Sequence, residues 1–166
     1  MEVQSGSYKK TVDYAKRHFS INAKRIVFQQ KGVNNGKNLD TYARVIIRTD
    51  ITPNGLPNLN KTRFIDEQIA DLNSLYKSLI DEAIKNPDYP AKLEQWNRVK
   101  IITLNGNKCI NYSYIRKMKD QPQTYSEFYI FWRGNKQHTL NIEYRVRDAA
   151  KWKEDLDLCV QIFKLK

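Results

Sequence analysis

Apolar residues recur at helical spacing along one long stretch in the middle of the chain, from residue 60 to about residue 86. The stripe comprises Ile65, Ile69, Leu72, Leu75 with Tyr76, Leu79 with Ile80, and Ala83 with Ile84. Steps of three and four residues place these side chains on one face of an amphipathic helix. Asn60 or Thr62 can cap its start, and Asn86-Pro87 stops its propagation. The pattern therefore predicts a long central helix.

A second helical stripe closes the chain. It begins at Asp148, whose short carboxylate side chain favours a helix start, and runs to the last residues. Its apolar positions are Trp152, Leu156, Cys159 and Phe163, with Ala149, Val160 and Ile162 widening the stripe. We expect an amphipathic C-terminal helix.

Between the two helices the apolar period changes to two, which is typical of strands. Residues 99–104 and 109–116 flank Asn105-Gly106, a dipeptide that accepts positive φ and favours a tight hairpin turn. Ile110, Tyr112 and Tyr114 alternate with Asn111 and Ser113. This alternation predicts one buried and one solvent-facing side for the second strand.

Residues 125–132 and 137–144 form a second predicted hairpin around the turn at residues 133–136. Apolar-facing His138, Leu140, Ile142 and Tyr144 alternate with Gln137, Thr139, Asn141 and Glu143. The partner strand is apolar at every position from 128 to 132, so we expect a central strand covered on both sides.

A third hairpin is predicted near the N-terminus, where residues 26–28 and 42–47 read as strands joined across residues 31–40. Residues 1–20 are interpreted as a lead-in segment, with Tyr8, Val12, Ala15 and Phe19 at helix-compatible spacing. Hairpins give antiparallel pairs. The fold class predicted is α+β, a single domain over residues 1–166, with an antiparallel sheet of about six strands packed between the long central helix and the C-terminal helix.

Composition adds a strong positive charge. The 166 residues hold 29 Lys and Arg against 18 Asp and Glu, a net charge of +11. Such an excess attracts acidic proteins and polyanions. No run approaches the roughly 18 apolar residues of a membrane span. Cys109 and Cys159 belong to no metal-binding spacing, which leaves two small buried side chains or a disulfide.

The sequence carries none of the common catalytic or phosphate-binding motifs, and we expect no enzymatic activity, no metal and no cofactor. His138 lies on the apolar-facing register of its strand with no nucleophile at a recognisable spacing, so a satisfied sheet histidine is favoured over a catalytic base. The helix carboxylates are interpreted as solvated surface residues; they are Asp66, Glu67, Asp71, Glu154, Asp155 and Asp157.

Aromatic and basic residues share the later strands and the loops beside them. We interpret the following residues as a candidate basic and aromatic binding surface: Arg116, Lys117, Lys119, Arg133, Lys136, Arg145, Arg147 and Trp132. The partner expected is an unknown protein or an acidic polymer. Rings beside cations are also how single-stranded nucleic acid is bound, so a nucleic-acid-binding domain is the alternative.

The C-terminal forty residues resemble a known family. An aromatic strand, a Gly-Asn turn, a strand ending in Tyr, an Asp cap and a Trp-containing helix ending in Phe occur in that order. They are represented here by residues 128–131, Gly134-Asn135, residues 140–144, Asp148, Trp152, Leu156 and Phe163. This sequence is similar to the closing half of PsbP-like domains, which occur in photosystem II accessory proteins and in many small exported or lipid-anchored bacterial proteins.

The resemblance implies an antiparallel sheet sandwiched by helices, no catalytic residues, and a binding or accessory role outside the bacterial cytoplasm. We therefore expect a noncatalytic binding domain of a bacterial envelope or secreted protein, with its export signal outside this sequence. A cytoplasmic location is the alternative. Ligand and oligomeric state are left open.

Overall fold

The structure is a computed structural model that describes residues 24–31, 40–52, 54–85 and 90–165. The lead-in predicted over residues 1–20 lies outside these ranges. The elements are β1 Lys24–Gln29, β2 Ala43–Ile51, α1 Asp66–Ile84, β3 Ala91–Leu104, β4 Asn107–Met118, β5 Thr124–Arg133, β6 Lys136–Arg145, a 3-10 turn Val146–Asp148, and α2 Ala149–Ile162.

The six strands form one open antiparallel sheet in the order β1-β2-β6-β5-β4-β3. Strands β3 to β6 meander through successive hairpins, and α1 carries the chain from β2 to the far edge strand β3. The described residues form two helices and six strands, which confirms the predicted α+β class. The Asn105-Gly106 turn also forms as predicted, with φ values of 49° and 78°.

The two helices lie on opposite faces of the sheet. Leu156 and Val160 of α2 pack with Tyr129 and Phe131 of β5, whereas Tyr76 of α1 packs in the core that contains Ile130. Successive strand residues point to opposite faces. Strand β5 is therefore central and covered on both sides, as its continuous apolar run predicts.

The start of α1 differs from the prediction. The helix begins at Asp66, six residues later than expected, and the backbone N–H of Ile65 donates to Oε1 of Gln68 at 3.2 Å. Asn60 does not cap the helix because its Oδ1 accepts from the backbone N–H of Lys108 at 2.7 Å. Thr62 donates to the carbonyl of Asn58 instead. Both predicted caps hold the preceding loop in place.

The start of α2 is at the predicted position, but the capping side chain has another partner. Asp148 is the N-cap residue, and its Oδ2 accepts from the backbone N–H of Tyr42 at 3.2 Å. The carboxylate thus joins the helix start to the residue that precedes β2.

The predicted solvent-facing sides of β4 and β6 are largely buried. Ser113 is 6% exposed, and Asn141 and Glu143 are each 4% exposed. These three residues bond to other side chains or to the backbone: Ser113 Oγ accepts from Asn97, and Asn141 Nδ2 donates to the carbonyl of Glu127 at 3.1 Å. Polar side chains satisfied in this way can be buried at little cost.

Candidate functional site

The eight residues of the predicted binding surface fall into two groups at opposite ends of the sheet. Register places Arg116, Thr124 and Arg145 in one row across β4, β5 and β6. Arg133 and Lys136 pair with each other at the other end, beside the turn that joins β5 to β6. Strands β5 and β6 are ten residues long, so the two groups lie roughly 30 Å apart along the strands. The sheet therefore does not bring all eight residues into one surface.

One end collects most of the predicted cations. We call it the basic end and define it as Lys92, Arg116, Lys117, Lys119, Arg145 and Arg147. Lys92 joins the group because it pairs with Lys117 across β3 and β4. Its lysines and Arg147 are exposed, and its other two arginines are half-buried.

Several cations of the basic end are not held in ion pairs with described residues. Lys92, Arg116, Lys117 and Lys119 make no ion pair with any residue in the described ranges. Arg147 lies 3.7 Å from Asp148 and donates to the carbonyl of Asp40. The two lysines Lys117 and Lys119, with Lys92 and Arg116, can therefore meet an external anion without first breaking an ion pair to a described residue.

The opposite end is partly occupied by the loop of residues 54–62. The backbone N–H of Leu56 donates to the carbonyl of Gly134 at 2.8 Å, and Leu59 is 1% exposed. Trp132, which belongs to the predicted surface, packs against the core beneath α1 and donates from Nε1 to Gln137 at 3.1 Å. This end is held together by its own contacts.

The strand aromatics lie mainly in the two cores. Under α1, Tyr112 stacks between Tyr76 and Phe128 with ring centroids 5.0 and 4.9 Å away. Tyr112 is 5% exposed, and burial raises the pKa of Tyr76 to about 12. On the other face, Phe131 is 2% exposed. Buried rings of this kind do not provide an open stacking platform for bases.

A buried carboxylate lies behind the basic end, on the α1 face of the sheet. Glu143 accepts from Arg44 through Nε at 2.7 Å and Nη2 at 2.6 Å, from Tyr42 Oη at 2.9 Å, and from Ser126 Oγ at 3.2 Å. Burial, followed by the nearby Glu143 charge, raises the pKa of Tyr42. With its oxygens already bonded to these partners, Glu143 acts as a fixed internal anchor.

A second carboxylate, Glu127, lies on the α2 face in a polar groove over β3, β4 and β5. We define the polar groove by Asn97, Arg98, Lys100, Asn111, Tyr125 and Glu127; it is open to solvent and has a volume of about 410 Å³. Register shifts in β3 between Asn97 and Lys100 mark a bulge that includes Arg98, one of the residues that line the groove. Bulges commonly re-aim a side chain in this way.

The groove floor is a connected hydrogen-bond network. Glu127 accepts from Asn111 Nδ2 and from Tyr125 Oη, each at 3.0 Å. Asn97 Nδ2 donates to Ser113 Oγ at 2.8 Å. Burial is the main cause of the raised pKa of Tyr125, and Ser113 acts against it. The Tyr125 phenol therefore stays a neutral donor to Glu127 at ordinary pH.

Two of the residues considered for catalysis, His138 and Asp157, have structural partners. His138 lies on the same face as Leu140, as predicted, and its Nδ1 is 2.9 Å from Thr49 Oγ1. Among the helix carboxylates, Asp157 is half-buried and pairs with Lys153, and the others are exposed. Within the described ranges, no three His, Cys, Asp or Glu side chains come together as metal ligands.

The cysteines are separate thiols rather than a disulfide. Cys109 belongs to the core under α2 and Cys159 packs against it. Burial raises the pKa of Cys109 to about 12, so its thiol stays protonated. Of the two alternatives that the sequence left open, the structure shows two free cysteines, with Cys109 buried and Cys159 half-buried.

Neither sheet glutamate was identified from the sequence. Glu143 follows the polar positions of β6, and Glu127 interrupts the apolar strand β5 between Ser126 and Phe128. A lone charge within an apolar strand is the available signal, because a charge there must find partners. The sequence does not reveal which donors or cations bond to each of these two glutamates.

Comparison with solved structures finds the same arrangement elsewhere. PA94 from Pseudomonas aeruginosa, a protein of unknown function described as a candidate regulator, is 10% identical with a TM-score of 0.53, over 88% of this chain and 85% of that chain. At this identity the likeness shows the fold alone. No protein-family model matches the chain, and comparison with curated proteins finds no match.

Two further structures show more distant similarity. CyanoP, the PsbP of the cyanobacterium Synechocystis sp. PCC 6803, is 15% identical with a TM-score of 0.42, over 86% of this chain and 82% of that chain. CalU16 from Micromonospora echinospora is 13% identical with a TM-score of 0.30, over 84% of each chain. Both scores are too low to argue from. Of the helices in the described ranges, none is long and apolar enough to cross a membrane.

Proposed function

We propose that this protein is a noncatalytic binding module that engages an acidic protein surface through its basic end. The observation that carries the proposal is the group of cations without ion pairs within the described ranges: Lys92, Arg116, Lys117 and Lys119. Unpaired surface charges steer oppositely charged partners and speed their association. The other end of the sheet is bonded to its own loop.

A noncatalytic role is supported by how the ionisable groups are used. Glu143 is bonded to Arg44, Tyr42 and Ser126, and His138 lies within hydrogen-bond distance of Thr49. General acid–base catalysis needs an ionisable group that can reach a substrate. These two groups are turned towards the sheet itself.

We place the protein in the bacterial envelope or outside the cell. This part of the proposal rests on the resemblance of the C-terminal residues to PsbP-like domains. Fractionation of the source cells, followed by detection of the native protein with an antibody, tests it directly. Recovery in the envelope or medium supports the proposal, and recovery in the cytoplasm contradicts it.

The binding proposal can be tested with poly-L-glutamate as a defined acidic probe. Lys117→Glu/Lys119→Glu reverses two charges at the basic end, and Arg133→Glu/Lys136→Glu reverses two at the opposite end. Both variants have the same net charge. We expect the basic-end variant to weaken binding about tenfold relative to its counterpart at low salt.

The matched control separates a local site from general attraction by a chain with a net charge of +11. Equal losses in the two variants would contradict a dedicated basic end. A single-stranded oligonucleotide serves as a second probe: binding that is tighter than that of poly-L-glutamate, and equally salt-dependent, would favour the nucleic-acid alternative and overturn the proposal.

A further inference from the structure

The polar groove presents charges of both signs that form no ion pair with any residue in the described ranges. Glu127 accepts hydrogen bonds from the neutral groups of Asn111 and Tyr125, and the phenol of Tyr129 also bonds to it. Lys153 of α2, whose charge also interacts with Glu127, is ion-paired with Asp157. Arg98 and Lys100 line the opposite side of the groove and make no ion pair with any described residue. The groove thus has a negative side, formed by Glu127 of β5, and a positive side, formed by Arg98 and Lys100 of β3.

Hydrogen bonds within the protein hold the polar side chains around Glu127 in place without a ligand. Asn111 Nδ2 also donates to the backbone carbonyl of Phe128 at 3.1 Å, so its amide is held from two sides. Gln95 Nε2 donates to Asn97 Oδ1 at 3.0 Å, and Asn97 in turn donates to Ser113. A satisfied network of this kind keeps its geometry and lowers the ordering cost of binding.

The distance between the two sides of the groove suits a small molecule. Lys100 aligns with Asn111, and Asn111 aligns with Tyr129 of β5, so two strand spacings, roughly 10 Å, separate β3 from β5. Long side chains on both sides shorten the gap between charged atoms. A groove of about 410 Å³ has the volume of an ordinary small-ligand site.

We propose that the polar groove binds a small zwitterion of the amino-acid class. Glu127 accepts the ligand's ammonium group, and Arg98 and Lys100 bind its carboxylate. Charge-assisted hydrogen bonds form at both ends, and they are stronger than neutral ones. An anion alone would meet the Glu127 carboxylate, and an apolar ligand would cover the polar floor without replacing its water.

The test uses isotope-labelled protein and the common L-amino acids as probes, each added at millimolar concentration and followed by amide chemical shifts. We expect at least one amino acid to shift the amides of the groove strands in a saturable way. Its N-acetyl derivative lacks the ammonium, and its carboxamide lacks the carboxylate. Each derivative should bind about tenfold more weakly or worse.

Two variants assign the contacts. Glu127→Gln should bind the amino acid and its N-acetyl derivative equally, because the ammonium has lost its partner. Arg98→Gln/Lys100→Gln should bind the amino acid and its carboxamide equally. Matched controls are Glu154→Gln on the exposed side of α2 and Arg133→Gln/Lys136→Gln at the far end of the sheet; both should retain the wild-type preferences.

Three results would overturn the proposal. The first is that no amino acid shifts the groove amides. The second is that the derivatives bind as well as the parent amino acid. The third is that glucose or inorganic phosphate shifts the same amides at lower concentration than any amino acid, which would assign the groove to a neutral polyol or an anion. None of these results bears on the basic end.

Discussion

Glu127 and Glu143 lie on neighbouring strands, one residue apart in register, but point to opposite faces of the sheet. Glu127 is directly across from Ile142, and Glu143 is directly across from Ser126. On the α1 face, Glu143 is paired with an arginine and buried. On the α2 face, Glu127 is half-buried and bonded to neutral donors.

The comparison shows how neighbouring residues of one type can have different uses. A carboxylate that is paired with a cation inside the protein stabilises the fold, and its charge is not available to a ligand. A carboxylate held in place by neutral donors keeps its charge available to a ligand. The structure therefore assigns Glu143 to stability and makes Glu127 the candidate for binding.

The largest expected effect is that of Glu143→Gln. The substitution leaves the Arg44 guanidinium without its anion and weakens the bonds from Tyr42 and Ser126. The side chain of Arg44 is 27% exposed, so water can recover part of the loss. We expect the free energy of unfolding to fall by about 2–3 kcal/mol, measured by urea denaturation.

A double-mutant cycle with Arg44→Met sharpens this result. If Arg44 and Glu143 are energetically coupled, the double variant should lose less free energy of unfolding than the two single variants lose in sum. Additive losses would contradict the interpretation of Glu143 as a carboxylate anchored by Arg44.

The sequence predicts which side chains share a face of the sheet better than it predicts whether that face is buried. The continuous apolar run of β5 identifies a strand covered on both sides, and the register of His138 is correct. Period-two alternation, however, assigns Glu143 and Asn141 to a solvent-facing side that is in fact buried. Alternation reports which side chains share a face, and the cover over that face comes from residues distant in the chain.

Helix starts and binding surfaces illustrate the same limit. Asn60 is a good cap by residue type, but Lys108, nearly fifty residues away, provides a backbone N–H that uses its side chain. The basic end brings together Lys92, Lys117 and Arg145 from three strands, and their proximity follows from register. A charge count along the sequence cannot separate them from Arg133 and Lys136.

The second prediction compares the faces at high pH. Burial raises the pKa of Tyr76, under α1, from 10.0 to about 12. Below pH 10 both the folded and unfolded chains hold this proton; as the pH rises further, the unfolded chain loses it first. The stability contributed by Tyr76 is therefore lost as the pH rises from 10 towards 12, by about 2 kcal/mol.

Tyr76→Phe tests this assignment. The variant should show a shallower fall of unfolding free energy between pH 10 and pH 12 than the wild type, because one buried phenol no longer titrates. Cys109→Ala, on the α2 face, is the counterpart: burial raises this thiol's pKa from 9.0 to about 12, and its contribution is lost from pH 9 upwards. Unchanged slopes in both variants would contradict the burial of these groups.

The third prediction is that Glu127→Gln affects stability less than Glu143→Gln. The amide oxygen of Gln can still accept from Tyr125 or Asn111, and no cation is left unpaired. We expect a loss of about 1 kcal/mol in the free energy of unfolding, measured under the same urea conditions. A loss equal to that of Glu143→Gln would show that both carboxylates are structural anchors and would end the distinction between the faces.

The smallest effect concerns His138 on the α2 face. Burial, then Lys136 and Arg133, lowers the pKa of His138 below 6.5. As the pH falls through 6.5, the unfolded chain takes up a proton that the folded chain resists, so the histidine's contribution to stability declines on acidification.

His138→Gln should flatten this dependence of the unfolding free energy on pH between neutral pH and about pH 5. Lys136→Gln should flatten it partly, because one of the repelling charges is gone. An acid slope left unchanged by His138→Gln would contradict the contribution of His138 to this dependence.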